Sequence, residues 1–137
     1  KLVAIMHRRH PLARNEQRLR LRDCASYPLV LSDRDTGGRQ MLERFMARSS
    51  IRLSPIVESN SFEFMCGYLL YEQAISFQFA TGAISHGGDF VSREIEDRGF
   101  PRGQLVLAQL RGRNLPLIAT GFAEHLVAAL ERASASA

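Results

Sequence analysis

Residues 31–50 read LSDRDTGGRQMLERFMARSS. A short apolar run ends at Leu31. A polar loop with adjacent glycines at 37 and 38 follows. Then Met41, Leu42, Phe45 and Met46 fall on one face of a helix predicted over Gln40–Arg48. Strand, loop and helix in that order open a βαβ unit. The loop either holds an anion at a helix start or is a turn whose glycines take positive φ.

The pattern extends in both directions. Pro28–Leu31 reads as a short buried strand and Pro55–Glu58 as another. Asn60 is placed to cap a helix running from about Ser61 to Tyr71, with Glu63 completing a capping box. Phe62, Met65 and Leu69 form its buried face, joined by Phe64 and Tyr68. Ala74–Phe79 is the next strand. Upstream, Leu2–Met6 reads as a strand, HRRHPLA as a loop, and residues 14–27 as a charged connector with a helical turn near Arg22–Ala25. Downstream come a Gly-rich loop over Thr81–Asp89 and strands over Phe90–Ile95 and Gln104–Leu110. An amphipathic helix over Leu117–Arg132 carries Ile118, Phe122, Leu126, Val127 and Leu130. The tail ASASA reads as a frayed end.

Strands alternating with helices over residues 28–80 predict a mostly parallel sheet in an α/β fold. Ligands of open α/β sheets sit beyond the carboxyl ends of the strands. The loops Ser32–Gly38, Ser59–Ser61 and Gln78–Gly82 converge there. Their small polar side chains and helix-start amides suit a small polar or anionic ligand. The candidate residues are Ser32, Thr36, Gly37, Gly38, Ser59, Asn60, Ser61, Gln78 and Thr81. Asp33 and Asp35 carry negative charge in the first loop and are expected to face solvent.

Composition narrows the function. Of the 137 residues, 45% are apolar and 23% charged, which suits a packed domain, and the formal net charge is +4. The basic residues are mostly dispersed; the densest group, Arg8, Arg9, Arg14, Arg18, Arg20 and Arg22, reads as solvated surface. No run reaches the roughly 18 apolar residues of a membrane span. Cys24 and Cys66 lack CxxC spacing and read as reduced, buried thiols. TGGRQM lacks the spacing and the lysine of a phosphate-binding P-loop. There is no GxGxxG and no GxSxG elbow. His7 and His10 flank a turn and read as surface residues, not metal ligands. Nothing pairs a nucleophile with a base. No catalytic residue, metal or cofactor is expected.

The ordered set HPLA, YPLVLSDRDTGGRQML, VESNSFEFMCGYLLYEQAISFQ and GQLVLAQLRGRNLPLIATGFAEHLVAAL resembles the effector-binding domain of LysR-type transcriptional regulators, of the type 2 periplasmic-binding-protein superfamily. The resemblance runs from Leu2 to about Glu131. It implies a second effector subdomain over residues 2–85. Residues 86–132 would hold the return crossover with the last strand and helix of a partial first subdomain, and 133–137 a frayed tail. It implies a small-molecule effector, self-association of the effector domain, and DNA contact only through an N-terminal winged helix-turn-helix that this stretch lacks. A cytoplasmic location with no membrane contact is expected. A strand that opens at residue 2 without a cap suggests a piece of a longer chain. A solute-binding protein of a transporter, or an enzyme on the same fold, is the alternative. One local departure is YEQAISF, where the family usually carries a Gly before the strand.

Overall fold

The computed structural model describes residues 1–14, 19–80, 88–103, 106–112 and 114–135. These fall into two compact units, Lys1–Gly103 and Gln104–Ala137. The first contains strands β1 (Leu2–His7), β2 (Val30–Leu31), β3 (Val57–Glu58), β4 (Ile75–Phe79) and β5 (Phe90–Glu94). Helices α1 (Leu21–Cys24), α2 (Gly37–Ala47) and α3 (Phe62–Tyr71), with a 3-10 turn at Pro11–Ala13, connect them.

β1 lies between β4 and β5 and pairs antiparallel with both, Ala4 facing Phe77 on one side and Arg93 on the other. β2 pairs parallel with β3. A parallel bridge from Leu29 to Ile75 joins β2 to β4, so the strand order is β3-β2-β4-β1-β5. β2 to β5 therefore run one way and β1 runs against them. The sequence divides near residue 85 by resemblance; β5, beyond that point, pairs with β1 in this first unit.

The uninterrupted apolar run LVAIM marks a strand covered on both faces. Leu2, Ala4 and Met6 pack with Leu42 and Met46 of α2 and with Leu21 and Cys24 of α1. Val3 and Ile5 point the other way, to Met65 and Leu69 of α3. Both cysteines are buried and unpaired. Burial, with Asp23 and Asp97 adding to it, pushes the Cys24 thiol up to about 12, so it stays protonated.

Several local expectations are corrected. α2 begins at Gly37, not Gln40: Thr36 is its extended N-cap and its hydroxyl accepts from the Arg39 amide. Gly37 and Gly38 are therefore helical, and positive φ among the described residues occurs only at Gly99 and Gly112. Ser61, not Asn60, caps α3. The Ser59 hydroxyl accepts from the Ser61 amide at 3.1 Å, and Ser61 Oγ in turn accepts from the Phe64 amide at 3.2 Å. The capping-box register thus slips by one residue. Phe64 lands on the outer face of α3 and is exposed. α3 ends with Glu72 in an extended conformation (φ −119°, ψ 153°), so a left-handed glycine is not required where the family usually has one.

In the second unit, α4 (Leu117–Ala135) forms but runs three residues past the expected end at Arg132, into the stretch read as a frayed tail; Ile118 and Phe122 on it are exposed. Residues 106–110, read as part of a strand, have no strand conformation. A strand holds only when its ladder is paired, and none of the described residues bonds to these.

His10, read as a surface residue, is only 2% exposed. Its Nδ1 accepts from the Leu12 amide at 3.1 Å and its ring lies 4.5 Å from Tyr27. Burial holds its pKa below 6.5, and the backbone of Gln73 offsets only part of this. The unfolded chain then binds a proton more readily than the folded one. Stability is full above about pH 6.5 and falls as pH drops toward the lower folded pKa. Denaturant titrations at pH 7.5 and 5.5 should show the loss, and His10→Gln should flatten it across that interval. An equal loss in wild type and variant would exclude His10 as the cause.

Candidate functional site

The ends of β2 and β4, the start of antiparallel β1 and the starts of α2 and α3 enclose a cleft of about 240 Å³. This is where the carboxyl ends of parallel strands meet helix N-termini. Its apolar wall is Leu2, Phe62, Met65, Phe77 and Phe79, and its polar wall Ser32, Thr36, Gly37, Gly38, Asn60 and Gln78. A larger hollow of about 540 Å³ follows Glu94–Arg102. One chain segment with charges of both signs lines it, and Asp97 there is occupied by the Leu21 amide at 2.6 Å. The smaller cleft, where separate elements converge, is the better candidate.

Of the candidate residues, Ser32, Thr36, Gly37, Gly38, Asn60 and Gln78 are brought together. Ser59 and Ser61 do not line the cleft; their hydroxyls organise the start of α3. Thr81 lies outside the described residues. Asp33 and Asp35 do not line the cleft.

Thr36 serves the loop itself. Its hydroxyl lies 2.9 Å from Ser32 Oγ and from the Asp33 carbonyl, either of which can accept its proton, and it accepts weakly from the Arg39 amide at 3.4 Å. Ser32 Oγ can donate to Thr36 Oγ in turn, and among the described residues no partner engages the Gly37 and Gly38 amides or the side-chain amides of Asn60 and Gln78. Four groups, from the start of α2, the residue before the α3 cap and the end of β4, are thus left with hydrogen-bonding capacity, all bordering one cleft. Two helix starts add partial positive charge. Among the described residues no charged side chain lines the cleft.

Arg39 shapes this loop from behind. Its side chain is 2% exposed and bonds Glu43 at 2.7 Å, Glu58 at 2.9 Å and the Ser32 carbonyl at 2.9 Å. The guanidinium ties the end of β2, the first turns of α2 and the end of β3 into one unit. The hydrogen bond from Arg39 holds the Glu58 carboxyl below its ordinary pKa. A basic residue three positions after the N-cap gave no signal that its side chain would turn inward. Among the described residues no group of three or more His, Cys, Asp or Glu is placed to hold a metal.

The family model of the LysR substrate binding domain matches residues 1–131. The chain belongs to that family, and its fold is the type 2 periplasmic-binding-protein-like α/β fold. Solved structures with this fold include the CcmR regulatory domain of Synechocystis PCC6803 in complex with 2-PG, with TM-score 0.72 and 21% identity over 93% of this chain. The effector binding domain of QuiR in complex with shikimate gives 0.65 and 20% over 90%. HinK, a LysR family transcriptional regulator from Pseudomonas aeruginosa, gives 0.69 and 19% over 90%. The chain spans 62%, 58% and 42% of the length of these three. No curated protein matches it.

Proposed function

We propose that this chain is part of the effector-binding domain of a LysR-type transcriptional regulator and that the 240 Å³ cleft takes a small effector. The observation that carries the proposal is the convergence on that cleft of hydrogen-bonding groups at Gly37, Gly38, Asn60 and Gln78 that no described residue engages. The helix starts favour a carboxylate or a similar anionic group, and the aromatic wall favours an apolar body. That the CcmR and QuiR domains were solved with 2-PG and shikimate supports a small-molecule role. Occupancy would bias the arrangement of effector subdomains and, through it, the DNA-binding parts of the regulator. The regulator would self-associate through its effector domains, act in the cytoplasm and catalyse no reaction. Sequence-specific DNA contact would belong to its winged helix-turn-helix.

Asn60 gives a clean test, because its exposed side chain bonds nothing among the described residues. Calorimetric titration with small carboxylates, shikimate and benzoate among them, should identify a ligand. Asn60→Ala should then weaken it by about 1 kcal/mol, the scale of one hydrogen bond, with the unfolding midpoint unchanged. Thr36→Val should differ by also losing about 1 kcal/mol of stability, as an N-cap substitution does. Unchanged affinity in Asn60→Ala would remove this residue from the site.

A further inference from the structure

The aromatic wall of the cleft is set from outside it. The Phe79 ring lies between two glycines from separate segments. A Cβ at Gly38 would stand 3.6 Å from Phe79 Cε2, an ordinary contact. A Cβ at Gly103 would stand 2.8 Å from Cε1, at the opposite edge of the ring, and 3.5 Å from Cζ. The 2.8 Å distance is closer than atoms tolerate, so the ring would have to move. The same Cβ would also meet Met41 Sδ at 3.5 Å. Gly103 and Met41 do not line the cleft, whereas Phe79 and Gly38 do. Phe79 is half-buried and packed against the core, so it cannot swing freely away. Pressure at Cε1 drives Cε2 toward Gly38, the second residue of α2.

We infer that Gly103 is a specificity-determining residue: it seats Phe79, and thereby sets the size of ligand the cleft accepts. This rests on the ligand-binding reading of the cleft. A side chain at 103 narrows the cleft through Phe79 without touching the ligand. The segment Phe100–Gly103 is itself held to the sheet, the Leu2 amide donating to the Pro101 carbonyl at 3.4 Å. Steric pressure at 103 is therefore passed to the ring.

The test uses the whole chain, labelled at backbone amides and methionine methyls, with benzoate as probe. In ligand-free Gly103→Ala the Gly38 amide resonance should move more than that of Gly37, which has nothing within 4 Å of its Cβ position. Adding Phe79→Leu should return it toward wild type. Benzoate affinity should fall roughly tenfold in Gly103→Ala, within the range overpacking costs, and recover in the double variant. In wild type, benzoate should shift the Met65 methyl in the cleft and the Met41 methyl beside Gly103 at the same midpoint. Phe79→Leu should silence Met41 alone, a readout available even if Gly103→Ala does not fold. An unmoved Gly38 resonance, or wild-type affinity in Gly103→Ala, overturns the inference. Benzoate that moves Met65 but not Met41 also overturns it. Benzoate that moves neither counts against the ligand reading of the cleft, and the ligand-free Gly38 shift then decides the role of Gly103 by itself.

Discussion

Arg39→Met is expected to lower the stability of the chain by about 2–3 kcal/mol and to lower ligand affinity further than any single cleft substitution. Removing one partner of a buried ion pair costs about 3–5 kcal/mol when the other charge stays buried. Here Glu43 and Glu58 are 42% and 34% exposed, so water solvates them once the guanidinium is gone. That places the loss below the full range. The Ser32 carbonyl also loses its donor, at the edge of the cleft. Arg39→Lys should recover only part of the stability, because a single ammonium cannot satisfy Glu43, Glu58 and a carbonyl in separate directions. Chemical denaturation of both variants at pH 7 measures this. A wild-type midpoint for Arg39→Met would show that the cluster is ornamental.

Leu42→Ala should cost about 2–5 kcal/mol, the range for a leucine truncated in a packed core. Leu42 is 1% exposed, in the cluster that joins α2 to β1 and β4. Phe122→Ala removes a larger side chain but should change stability by less than about 0.5 kcal/mol, because Phe122 is 67% exposed. Thermal unfolding of both variants tests where the core lies. A larger loss from Phe122→Ala than from Leu42→Ala would place the main core in the second unit.

The parts of the fold legible in the sequence were those written as period and breaker. LVAIM announced a strand, and the structure shows it buried on both faces. YPLVL before a polar loop, and ISFQF after α3, announced the ends of β2 and β4. The antiparallel setting of β1 was not legible, since pairing partners far apart in sequence leave no local mark. Apolar period states that a face is apolar, not that anything covers it: Ile118 and Phe122 of α4 are exposed. Capping positions slipped by one residue because Ser59, Asn60 and Ser61 are all good caps, and the choice among them depends on the Ser59 turn. In the candidate site, the loops were legible from strand order. The roles within them were not, because Thr36 spends its hydroxyl on Asp33, Ser32 and the Arg39 amide. The glycines at 37 and 38 were read either as helix-start amides for an anion or as a turn with positive φ. The structure gives them helical backbone and amides that no described residue engages.

The most direct test of the ligand-binding cleft is an amide-resolved titration of the chain with a panel of small carboxylates. The proposal expects the Gly37 and Gly38 backbone resonances and the Asn60 and Gln78 side-chain amides to shift together, with one midpoint, for at least one compound. Shifts confined to Glu94–Arg102, or an Asn60 that stays still while Gly38 saturates, would contradict it.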